Sequence, residues 1–125
     1  MDLTTARVIG NVLENYWGTQ SSPDGTYSIR YALDGNQLTM KYTTVVYFAS
    51  ESSLKPQIES QHSQAIQLID DKVSVIKKTY KDVSDKTLKL EDKGGNDDLE
   101  MISNHAQSPR KVAYYRYNHV FLIED

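Results

Sequence analysis

The chain has 125 residues, 38% of them hydrophobic, enough to build one core at the commonest size of a single domain. Its 14 basic and 17 acidic residues leave a formal charge of −3, too mild to drive the whole molecule onto nucleic acid or a membrane surface. The absence of cysteine excludes disulfides, thiolate metal sites and cysteine nucleophiles. Nine tyrosines against two phenylalanines and one tryptophan favour side chains with an apolar ring and a polar tip, suited to half-buried strands and contact surfaces.

The N-terminus, Met1-Asp2-Leu3-Thr4-Thr5-Ala6-Arg7, lacks the apolar core of a signal peptide. The longest apolar runs, such as Val45-Val46-Tyr47-Phe48-Ala49, fall far short of the roughly 20 residues that cross a bilayer. A cytoplasmic protein is expected, with one domain over residues 1–125. Val8, Ile9, Val12, Leu13 and Tyr16 recur at three- and four-residue spacing and predict a helix from Thr4 to Trp17, capped by Asp2 or Thr4 and stopped by Gly18. Thr19 to Gly25 is small and polar with Pro and Gly, and reads as a connector.

Strict alternation follows. Tyr27, Ile29, Tyr31 and Leu33, then Leu38, Met40, Tyr42, Thr44, Val46 and Phe48, form one face of a β-hairpin turned by Asp34-Gly35-Asn36-Gln37. The loop is two or four residues long. Ser50 to Ser53 offer capping hydroxyls, and Pro56 is placed in the first turn of a long second helix. Its stripe is Ile58, His62, Ala65, Ile66, Ile69, Val73, Ile76, Tyr80 and Val83, which predicts that the helix covers the sheet. Asp70, Asp71, Lys72, Lys77 and Lys78 read as its solvated face. Beyond it, Thr87 to Leu90 and Leu99 to Ile102 flank Gly94-Gly95-Asn96, which predicts a second hairpin, and a last strand runs from Lys111 to Ile123. The expected fold is α+β and two-layered, ordered helix, β-hairpin, long helix, β-hairpin and strand, with an antiparallel sheet covered by helices.

No catalytic, cofactor-binding or metal-binding motif is present. His62, His105 and His119 fall in different elements without an HxH or HExxH spacing, so His62 is expected as a packing histidine with a hydrogen-bonded tip. The glycines lack a phosphate cradle, and no serine sits in a GxSxG or SxxK context. The acidic pairs lack EF-hand spacing.

One segment suggests recognition. Residues 108–119 interleave Arg110, Lys111 and Arg116 with Tyr114, Tyr115 and Tyr117, cations for phosphate and rings for base stacking. Arg110, Lys111, Tyr114 and Arg116 are therefore candidate contacts for nucleic acid or a protein partner. The plainer alternative is an ordinary strand with Tyr115 and Tyr117 inward and Arg116 in solvent. The preferred expectation is a non-enzymatic interaction or assembly module, pairing with itself as a homo-oligomer or with another protein. A nucleic-acid-binding accessory protein is the alternative, and an enzyme using His62 or His119 as base is a more distant one.

The run Ser108-Pro109-Arg110-Lys111-Val112-Ala113-Tyr114-Tyr115-Arg116 before a final strand resembles small proteins encoded by T4-like phages of marine cyanobacteria, over roughly residues 86–123. Position 117 is Tyr where the resemblance would place a further basic residue. The resemblance implies an accessory or assembly protein acting in an infected bacterial cell, and carries over no residue role.

Overall fold

The computed structural model describes residues 2–14, 18–22, 25–102 and 111–124. Helix α1 spans Leu3–Glu14 and α2 spans Glu51–Ser84, while strands β1 (Gly18–Ser22), β2 (Gly25–Asp34), β3 (Gln37–Phe48), β4 (Lys89–Ile102) and β5 (Lys111–Glu124) form one antiparallel sheet ordered β1-β2-β3-β5-β4. The fold is α+β, with both helices on one face of the sheet.

Alternation builds that face. Leu38, Met40, Tyr42, Val46 and Phe48 of β3 and Ala113, Tyr115, Tyr117, Phe121 and Ile123 of β5 are all buried and share one side of the central pair. Against them α2 presents Leu54, Ala65, Ile69, Ile76 and Tyr80, at the spacing of one helical stripe. Thirty-four residues make α2 about 51 Å long at 1.5 Å per residue, so its stripe is spent along the sheet. Helix α1 is shorter and lies beside α2, with Val8, Ile9 and Leu13 buried and Leu13 packed over Ile29, Tyr31 and Met40.

The caps are local chemistry. Asp2 Oδ1 accepts from the Thr5 N–H and the Thr5 hydroxyl, both at 2.7 Å, and the Thr5 amide is the first cause of a carboxyl pKa below its ordinary value. Lys86, just past α2, adds attraction to Asp2, so the start of α1 lies toward the end of α2. Ser50 caps α2 in a reciprocal box with Ser53, and Asp85 ends it in the left-handed region at φ 59°.

Five expectations are corrected. The polar connector after Gly18 contains a strand: β1 pairs with β2 from Gly18↔Ile29 to Ser22↔Gly25, because backbone pairing to an apolar neighbour needs no hydrophobic pattern of its own, and Gly18 opens this strand. The Gly94-Gly95-Asn96 group is no hairpin turn. It lies inside the continuous strand β4 as a β-bulge between Asp92 and Gly95, with Gly94 at φ 86°, and the partner of β4 is β5. Lys72 is buried, 8% exposed, because it continues the Ala65, Ile69, Ile76 stripe and lays its aliphatic stem there. Val83 is 64% exposed at the C-terminal end of that stripe. Pro56 sits in the second turn of α2, where it removes the N–H that would bond the Ser52 carbonyl. The first hairpin has the shorter of its two possible loops, Asp34↔Gln37 closing on Gly35 at φ 59°. Tyr16, Trp17 and His105 lie outside the described residues. Among those described, no helix is long and apolar enough to cross a membrane.

Candidate functional site

The alternation that buries Tyr115 and Tyr117 turns Tyr114 and Arg116 to the side of the sheet that carries no helix. Row by row, that outer face reads Arg30–Lys41–Asn118–Asn96, then Ser28–Thr43–Arg116–Asp98, then Val45–Tyr114–Glu100, then Tyr47–Val112–Ile102. Val45, Tyr114, Tyr47, Val112 and Ile102 thus form an apolar band across β3, β5 and β4. Tyr47 is 56% exposed and Tyr114 36%.

Arg116 is engaged within the chain. Its guanidinium lies 2.8 Å from Glu100 and 3.8 Å from Asp98, both on β4, and 5.4 Å from the centroid of the Tyr114 ring. Of the four candidate contacts, Tyr114 and Arg116 are therefore brought together, but Lys111 is paired with Phe48 and falls on the opposite, helix-covered side of the strand. Arg110 lies outside the described residues. Tyr115 and Tyr117 point inward, as the plainer strand reading has it.

A second polar cluster sits on the helix-covered side, at the β4 edge. The Tyr115 hydroxyl donates to Asp97 Oδ2 at 3.3 Å. Its single hydrogen is used there, so His62 Nδ1, 2.9 Å away on α2, donates to the tyrosine oxygen. Beside it, His119 Nε2 donates to Asp92 Oδ1 at 2.6 Å, which leaves a neutral His119 ring to accept from the Tyr117 hydroxyl through Nδ1 at 2.8 Å. The ring of His62 stands edge-on to Tyr117 at 5.1 Å, and His119 stacks on Phe121 at 4.6 Å.

The bulge makes this cluster possible. Asp92 is opposite Phe121 and Gly95 opposite His119, so three steps on β4 match two on β5. Asp92 and Asp97, at an even and an odd position, thereby face the same side, while Asp98 and Glu100 face the other.

Burial pushes the Tyr42, Tyr115 and Tyr117 hydroxyls up, Tyr42 to about 12, and the Asp97 carboxylate pushes Tyr115 up further. Such hydroxyls hold their protons and are weak nucleophiles at neutral pH. What the cluster does chemically is join β4 to β5 and α2 with no buried side-chain polar atom left without a partner among the described residues. No group of three or more His, Asp or Glu among those residues is arranged to hold a metal ion.

Sequence reasoning missed the cluster because its partners lie 18, 27 and 53 positions apart and meet only through the β4–β5 register. The available signal was the double glycine beside Asp92, readable as a bulge as well as a turn. No family model, curated protein or solved structure matches the chain.

Proposed function

We propose that the protein is a non-catalytic assembly module that works as a homodimer, two copies packing the outer faces of their sheets together. The observation that carries this reading is the apolar band of Val45, Tyr47, Val112 and Tyr114 on a face without a helix. Most of the stripe of α2 is buried within the chain, and the β4 edge is charged and bulged, which disfavours strand addition.

Area and charge both favour a second copy as the occupant. Four strands about 4.8 Å apart and some 12 residues long present roughly 750 Å², close to what each partner gives a standard interface. A two-fold axis running along the strands between β3 and β5 lays β3 of one copy over β5 of the other, and β2 over β4. Val45 then meets Tyr114 and Tyr47 meets Val112, while Arg30 on β2 lies over Asn96, one row from the acid Asp98, across the interface. The resemblance to phage-encoded proteins would set such a module in an infected cell.

Sedimentation equilibrium tests the reading. The wild-type chain is expected as a dimer at micromolar concentration and Val45→Glu as a folded monomer. A monomeric wild type, or a Val45→Glu dimer, overturns it. The nucleic-acid alternative is weaker because Arg116 is already held by two carboxylates on the same face. A single-stranded oligonucleotide titrated at low salt should show no anisotropy change that Arg116→Ala abolishes.

A further inference from the structure

Among the described residues, the helical layer on the helix side of the sheet is incomplete. Helix α1 covers Ile29, Tyr31 and Met40 with Leu13 and stops at Glu14, whereas α2 runs on. A cleft of about 380 Å³ opens between α2 and the hairpin, with Tyr27 and Tyr42 as its floor and Ser63, Gln64, Gln67, Leu68 and Asp71 along its wall. That volume suits a small organic molecule.

The floor is preorganised for a flat ring. Tyr27 and Tyr42 stack at 5.4 Å with 24° between their planes, and the Tyr42 hydroxyl is fixed by donating to Gln61 Oε1 at 2.7 Å. Leu68 supplies an apolar side. The charge at the wall is negative: Asp71 accepts from Gln67 Nε2 at 3.2 Å, and the described lining contains no lysine or arginine.

We infer that this cleft is a binding site for a small planar aromatic amine, its ring on the Tyr27 and Tyr42 floor and its ammonium at Asp71. The ring gains apolar burial and stacking, the ammonium gains the Asp71 carboxylate, and Gln64 Oε1 and Ser63 Oγ accept the other ammonium hydrogens. The site is on the face away from the dimer surface and stands without it.

The test is an amide-resolved NMR titration of the full chain with tryptamine, indole and indole-3-acetate as probes. Tryptamine should shift Tyr27, Leu68 and Asp71, indole should bind more weakly, and indole-3-acetate weakest. Asp71→Asn, at an exposed position that leaves the fold intact, should weaken tryptamine about fivefold, the worth of one exposed ion pair, and leave indole unchanged. Absence of shifts with tryptamine at millimolar concentration overturns the assignment, as does indole-3-acetate binding as tightly as tryptamine.

Discussion

His119 on β5 donates to Asp92 on β4 at 2.6 Å, and the same Asp92 oxygen accepts from the Gly94 N–H at 2.7 Å. The bulge and the histidine therefore stabilise one carboxylate between them. Partial burial works against that carboxylate's charge, but the Gly94 amide and His119 outweigh it and hold the pKa below the usual 3.8. A depressed folded pKa contributes stability that is present above the unfolded value and is lost as pH falls through the folded one. Asp92→Asn should cost about 0.5–1 kcal/mol near neutrality, small because the side chain is 61% exposed. Urea melts of the two proteins should converge as pH drops below about 3.8.

The buried hydroxyls predict the alkaline limit. Tyr42 ionises at about 12 in the fold against 10.0 when unfolded. A raised folded pKa gives stability that is full below the unfolded value and lost as pH rises through the folded one, so unfolding should set in between pH 10 and 12. Tyrosinate absorbance should rise together with loss of structure. Tyr42→Phe, less stable at pH 8 through the lost bond to Gln61, should lose less of its remaining stability in that window.

The two glycines of the bulge separate two physical effects. At Gly95 a Cβ would stand 2.7 Å from the Asn118 carbonyl oxygen and 2.6 Å from Tyr117 Cζ, so Gly95→Ala must move backbone and should cost about 3 kcal/mol. At Gly94 the space is open but φ is 86°, so Gly94→Ala should cost only about 1 kcal/mol. Denaturant midpoints in parallel decide the order.

Ser50 begins a helix of 34 residues by accepting from the Ser53 N–H while the Ser53 hydroxyl accepts from the Ser50 N–H. Ser50→Ala should lower stability by about 1 kcal/mol, and Ser50→Asp should retain most of it. Thermal melts check both.

Charge exchange examines the dimer geometry. Asp98→Arg should raise the dissociation constant at low salt, and adding Arg30→Glu should recover association, since the two-fold axis sets Asp98 over Ser28 of the other copy, one row along β2 from Arg30. Recovery that disappears at high salt would match a rim contact; equal constants for the single and double variants would contradict the axis.

The helices and the first hairpin were legible because burial there follows one period for ten residues or more: Leu38 to Phe48 at every second position, Ala65 to Tyr80 at helical steps. His62 was legible as a packing histidine with a bonded tip, since it stood on that stripe. Strand β1 was not legible, because Thr19, Gln20, Ser21 and Ser22 carry no apolar pattern and join the sheet by pairing with β2. Strand β4 was misread because its described side chains are mostly polar and exposed, so two glycines outweighed the residues around them. The candidate surface was half legible. Sequence put Lys111, Tyr114 and Arg116 on one strand, but the carboxylates that hold Arg116 come from β4, whose register depends on the bulge.

That bulge sets a counting rule for the chain. Remove one residue between Asp92 and Gly95 and the strand becomes regular, two steps on β4 matching two on β5: Gly95 stays opposite His119, Asp98 and Glu100 stay outside beside Arg116, and Leu99 and Met101 stay on the helix side. Remove two and every position from Asn96 to Ile102 changes sides, so that Asp98 and Glu100 swing beneath α2 and Arg116 loses both its acids. A single-codon deletion in this stretch is therefore the one that keeps both surfaces, and a double deletion rewrites them at once.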